Sequence, residues 1–153
     1  MTTQQDTPAY FEKFRLLLSA GETLSLQVLG NSMAPFLVHQ RDIVWLRKPD
    51  RPLRKGDIVL YQRSNGAYIL HRICGVQEES FTMIGDAHQT PEPGITRDQI
   101  FGLVVRIERK GKILEPCSFW WKFFSLVWIR LIPLRRFFQK VYALIFHSFR
   151  RSK

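Results

Sequence analysis

The spacing of apolar positions along the chain changes twice. Tyr10, Phe11, Phe14, Leu17 and Leu18 recur three and four residues apart, which predicts a short amphipathic helix over residues 8–19. Asp6 or Thr7 is suited to cap it, Pro8 to its first turn and Gly21 to its close. From Leu24 the period drops to two. Leu24–Leu29, Asp42–Arg47, Asp57–Gln62, Ala67–Cys74, Ser80–Ile84 and Ile100–Ile107 read as about six short strands. Asn65-Gly66 between the third and fourth is a hairpin signal. Strands this short and this regularly spaced predict a compact, mainly β, mostly antiparallel sheet or barrel.

From Pro116 the alternation stops. Residues 118–131 are apolar apart from Lys122 and Arg130, and Pro133 interrupts them. Leu134, Phe137, Phe138, Val141, Leu144, Ile145 and Phe149 then resume helical spacing, with Arg135, Arg136, Lys140 and Arg150 between them. That is a basic amphipathic helix. A membrane span needs about 20 apolar residues, whereas the longest uncharged run within 118–131 is Phe123 to Ile129. The expectation is a helix pair lying in a membrane interface, Trp and Phe inward and Lys/Arg at the head groups. A helical lid on the sheet is the main alternative, since buried faces share the period. A short tilted span with snorkelling Lys122 and Arg130 is the other. The chain thus divides into an N-terminal helix (1–22), a β domain (23–115) and a tail (116–153).

Charge sharpens that division. The net +10 of the 153 residues falls wholly after residue 105, where 12 Lys and Arg face only Glu108 and Glu115. Before it, 11 basic and 11 acidic residues cancel. Eleven of the 20 aromatic residues also lie in 119–149. The excess charge therefore points to an anionic membrane surface met through residues 117–153, rather than to the substrate. Nucleic acid is not expected, because the tail is too apolar for a solvated basic strip. Two cysteines make no disulfide scaffold, no spacing suggests zinc, and no cofactor is implied. Leu16-Leu17-Leu18 is far short of the apolar stretch of about 7–15 residues in a secretory signal. The expected location is peripheral, at the cytoplasmic face of a membrane, with Cys74 and Cys117 reduced.

Three stretches carry candidate chemistry. In Gly30-Asn31-Ser32-Met33-Ala34-Pro35-Phe36-Leu37, a serine follows a strand in a turn, where its hydroxyl is exposed and nearby N–H groups can face a substrate oxygen. An ordinary serine-bearing turn has the same look. In Ile69-Leu70-His71-Arg72-Ile73, His71 shares a strand face with Ile69 and Ile73. A lone strand histidine is more often structural, yet His71 is the base best placed to take a serine proton. His39 sits in the loop after Ser32 and His147 in the tail. In Gly85-Asp86-Ala87-His88-Gln89-Thr90-Pro91-Glu92-Pro93, Asp86 or Glu92 is suited to orient the imidazole. Asp86 and His88 would make only half of a metal site.

The order of these stretches, with Lys55-Gly56-Asp57-Ile58-Val59 and Ile100-Phe101-Gly102-Leu103-Val104, resembles the boxes of the signal peptidase I family over about residues 24–107. The similar branch is the archaeal and endoplasmic-reticulum type, which has histidine where the common bacterial enzymes have lysine. The resemblance implies the antiparallel β fold of the LexA/signal peptidase superfamily, flanked here by a short N-terminal helix and C-terminal amphipathic helices. It implies Ser32 as nucleophile and His71 as general base. Asp86 matches the first acid of the family's acidic box, and Glu92 stands where a second Asp belongs. Met33 and Pro35 would belong to the substrate cleft, Pro35 fixing the turn behind the serine, and His88 stands where Asn is common. The implied activity is that of a serine endopeptidase cutting a peptide or pre-protein at or near a membrane. The alternative is a non-catalytic membrane-surface binding module on the same scaffold. Family members usually carry a membrane span before the serine box, and here an amphipathic helix stands there. A LexA-like regulator would need an N-terminal DNA-binding domain and a lysine base. Only about 23 residues precede the first strand, too few for a helix-turn-helix domain, and position 71 is histidine.

Overall fold

The computed structural model describes residues 7–131. Helix α1 (Thr7–Ser19) buries Phe14 and Leu18, and Phe11 stacks on Tyr68 with ring centroids 4.2 Å apart. Gly21 ends it at φ +95°, a left-handed backbone conformation that suits glycine.

Among the described residues eight antiparallel strands follow: β1 (Leu24–Gln27), β2 (Ile43–Arg47), β3 (Ile58–Gln62), β4 (Tyr68–Val76), β5 (Ser80–Ile84), β6 (Glu92–Thr96), β7 (Ile100–Arg109) and β8 (Lys112–Leu114). Their order across the sheet is β1-β2-β7-β3-β4-β5-β6, and β8 also pairs with β7. The predicted antiparallel β architecture is therefore the observed one, with two strands more than the alternation predicts. β6 contains Pro93 and Gly94, which disguise a strand, and it is an edge strand, where a missing N–H is tolerated. β8 is three residues long and turns back through Lys110 and Gly111, both at positive φ.

The sheet has buried side chains on both faces. Ile58 and Leu60 of β3 join a core with Phe14, Leu18, Met33, Phe36 and Leu37. The intervening Val59 and Tyr61 join a second core with Ile73, Met83, Ile95 and Leu103. This is the period-two alternation of a strand buried on both sides.

After β8, a short helix α2 (Phe119–Lys122) continues into a π-helical stretch, Phe123–Trp128. Trp121 and Phe124 belong to the first core, with ring centroids 6.3 and 4.7 Å from that of Phe36, and Ile129 is also buried. Residues 119–131 thus cover the β domain as a lid does, while Phe119, Trp120, Leu126 and Val127 stay exposed. The basic amphipathic segment expected over 134–150 lies outside the described residues. Among the described residues, no helix is long and apolar enough to cross a membrane.

Candidate active site

Ser32 stands in the irregular segment between β1 and β2, pinned at several points. Met33, Phe36 and Leu37 are buried. The Gln40 N–H donates to the Val28 carbonyl (2.8 Å), and the Gly30 N–H to His39 Nδ1 (2.9 Å). His39 is thus a closing contact of the serine loop. The Arg41–Asp42 ion pair lies at its end, where Asp42 Oδ2 also accepts the Val38 N–H (2.9 Å). The loop has the packing of a core segment and leaves Ser32 half-exposed on its rim.

His71 reaches the same place from β4. The β4–β5 register pairs Arg72 with Ile84, and one step further brings Gly85 opposite His71. The Ala87 N–H then donates to the Ser32 carbonyl (2.9 Å), tying the 85–87 turn to the serine loop. The crowding at Gly85 measures how closely the parts meet. A Cβ there would lie 2.5 Å from the Ser32 carbonyl oxygen, 2.9 Å from His88 Nδ1 and 3.1 Å from His71 Nε2. Only glycine fits between them. Ser32, Met33, His71, His88, Val28 and Leu29 line one cleft of about 180 Å³. Met33 combines this with a core position at 1% exposure.

The acidic residues fall elsewhere than expected. His71 and Arg72 are successive strand residues and point to opposite faces. Arg72 lies over the Phe36 ring (5.1 Å), and its Nε and Nη2 donate to Asp86 at 2.9 and 2.7 Å. Both partners of this ion pair are fully buried. Arg72 Nη1 donates to the Gly56 carbonyl (3.0 Å) and Ser125 Oγ (3.1 Å), and Trp128 Nε1 donates to the Asp86 carbonyl (3.0 Å). Asp86 therefore holds the turn that positions Ser32 and does not orient the imidazole. Glu92 accepts Arg63 Nε and Nη2, both at 2.6 Å, and the Tyr61 hydroxyl at 2.7 Å. Its hydrogen-bonded route to His71 runs through Tyr61, whose oxygen lies 3.3 Å from His71 Nδ1. Pro35 is exposed and is not among the residues that line this cleft.

Tyr61 carried no signal in the sequence. It meets His71 because β3 pairs Val59 with His71, which makes Tyr61 the diagonal neighbour on the same face. The Gly56-Asp57 box also has a structural use. Arg51 grips the Asp57 carboxylate at 2.8 and 2.9 Å, and Gly56 N–H and Asp57 C=O bracket Ile73.

Burial first, and nearby His88 after it, push the His71 imidazole down to about 4 against the opposing pull of Glu92. The ring is therefore neutral near pH 7 and able to accept a proton. The His88 ring stands perpendicular to it, centroids 5.3 Å apart. The Arg63 guanidinium holds the Glu92 carboxyl below its usual range. Among the described residues no group of three or more His, Cys, Asp or Glu is placed to hold a metal, and both cysteines are free thiols.

A family model described as Peptidase S24-like matches residues 2–105. No curated protein and no solved structure matches the chain. The match covers α1, the serine loop, β4 with His71 and the acidic turn.

Proposed function

The chain belongs to the Peptidase S24-like family, and on that premise we propose that it is a serine endopeptidase with Ser32 as nucleophile and His71 as general base. The observation that carries this is the meeting of the Ser32 loop and His71 Nε2 at Gly85, inside one cleft. A neutral His71 takes the Ser32 Oγ proton at Nε2 as the oxygen attacks a peptide carbonyl. Backbone N–H groups of the turn around Ser32 stabilise the oxyanion. The imidazolium returns its proton to the leaving amine, and water, activated by the same ring, releases the acyl group. Leu29, 69% exposed at the cleft, and Val28, buried beside it, offer apolar contacts for a substrate side chain.

The substrate class is a peptide or pre-protein presented at a membrane surface, in the manner of a signal peptidase. Exposed Phe119, Trp120, Leu126 and Val127, interspersed with exposed Lys122 and Arg130, support that reading. The basic, aromatic residues of 132–153 extend the same composition. Incubation of purified protein with peptides presented on anionic vesicles tests it. Cleavage lost in both Ser32→Ala and His71→Ala is expected, and wild-type cleavage by either variant overturns it. A second reading, a non-catalytic binding module, is favoured by one observation: neither Asp86 nor Glu92 touches His71. Vesicle-bound peptide captured but left intact by the wild-type protein would support it.

A further inference from the structure

We infer that Tyr61 stands where a serine–histidine pair ordinarily has its acid, as a positioning residue that fixes the tautomer of His71. This rests on the reading of Ser32 and His71 as the catalytic pair. The Tyr61 hydroxyl has one proton and two contacts. It lies 2.7 Å from Glu92 Oε2 and 3.3 Å from His71 Nδ1. The ionised carboxylate, already bound by Arg63, has no proton to give and takes the phenolic one. The phenolic oxygen is left as an acceptor, so Nδ1 carries the hydrogen and donates it to Tyr61. Nε2, the nitrogen facing Gly85 and the Ser32 loop, then presents its lone pair. That is the tautomer a general base needs.

The arrangement also suits the burial. His71 is 4% exposed and Tyr61 fully buried, so a carboxylate in direct contact would bring an ion into a desolvated site. Here the charge stays at the rim, where the side chains of Glu92 and Arg63 are 29% and 35% exposed. The neutral phenol passes on the orientation without the charge. Burial and the adjacent Glu92 both raise the Tyr61 phenol, which keeps its proton in place. The remaining neighbour, His88, meets the ring from the Gly85 side and does not approach through Tyr61.

The test uses the purified full chain and a fluorophosphonate, with phosphonylation of Ser32 Oγ and loss of fluoride followed by intact mass. Long-range 1H–15N correlation of the histidine rings reports the His71 tautomer. Wild-type labelling that is absent in both Ser32→Ala and His71→Ala establishes the catalytic pair independently of Tyr61. Equal labelling of wild type and Ser32→Ala would overturn that underlying reading and the inference with it. With the pair established, Tyr61→Phe is expected to label about tenfold more slowly, the fold-change of losing one hydrogen bond. Its His71 ring is expected to lose the pure Nδ1–H form. Wild-type labelling with an unchanged tautomer in Tyr61→Phe overturns the inference. The wild-type spectrum decides the matter even if that variant does not fold, because an Nε2–H tautomer there is incompatible with it. Glu92→Gln, which keeps an oxygen able to accept the Tyr61 proton, is expected to retain the tautomer.

Discussion

Replacing Asp86 by Ala separates a structural acid from a catalytic one. The carboxylate accepts two bonds from Arg72, at 2.9 and 2.7 Å, and both residues have zero exposed side-chain area. The substitution leaves a buried guanidinium with only the Gly56 carbonyl and Ser125 Oγ as acceptors. Removing one partner of a buried pair costs about 3–5 kcal/mol, a large part of the roughly 5–15 kcal/mol that holds a domain folded. For a chain of this size that is a fall of about 6–20 °C in melting temperature. Urea unfolding followed by tryptophan fluorescence should show a lower midpoint with an unchanged slope. The double variant Arg72→Met/Asp86→Leu removes both charges and should recover most of the loss. Gly56 then keeps Ser125 Oγ as its donor (3.2 Å). A triad acid behaves otherwise: the variant folds normally and loses activity. Asp86→Ala with a wild-type unfolding midpoint and an unreactive Ser32 would refute the structural assignment.

Other perturbations read other parts of the account. His71 is held down to about 4 in the folded chain against 6.5 when unfolded, so between those values the unfolded state binds the extra proton. Stability should rise with pH through that window and level off above it, by on the order of 3 kcal/mol; a His71→Gln variant with the same pH slope would contradict this. Gly85→Ala places a methyl 2.5 Å from the Ser32 carbonyl oxygen, a backbone atom that must shift. It should abolish Ser32 labelling, and a fully reactive variant would show that the three groups do not meet there. Deleting 132–153 should leave thermal unfolding of the domain intact and release it from anionic vesicles. Deleting 117–153 also removes Trp121, Phe124 and Ile129 from the core and should prevent folding. A stable domain after the longer deletion would mean that α2 and the π-helical stretch are dispensable.

Much of the fold was legible because period reports burial. Phe14 and Leu18 reveal α1 at helical spacing, and Ser64-Asn65-Gly66 marks the β3–β4 turn, closed by the Gly66 N–H on the Arg63 carbonyl (2.9 Å). β6 was hidden because Pro93 and Gly94 argue against a strand, and only its position at the sheet edge permits them. In the C-terminal segment, the period reveals an apolar face but not its cover. Trp121 and Phe124 pack on Phe36, whereas Phe119 and Trp120 remain outside. The site follows the same rule. Ser32, His71 and Gly85 stand out as residue types in loops and strands, but side-chain partners depend on register. The adjacent His71 and Arg72 face opposite sides, which gives Asp86 to the arginine. The β3–β4 register gives Tyr61 to the histidine. Neither assignment is written in any local pattern.

The central claim, a reactive Ser32 served by a neutral His71, is tested most directly by peptide mapping after fluorophosphonate treatment of the purified chain. One adduct is expected, on Ser32, lost on denaturation and in His71→Ala, with a rate that is flat at neutral pH and falls toward pH 4 as the imidazole protonates. A folded protein that leaves Ser32 unmodified, or an adduct formed equally well without His71, would contradict it.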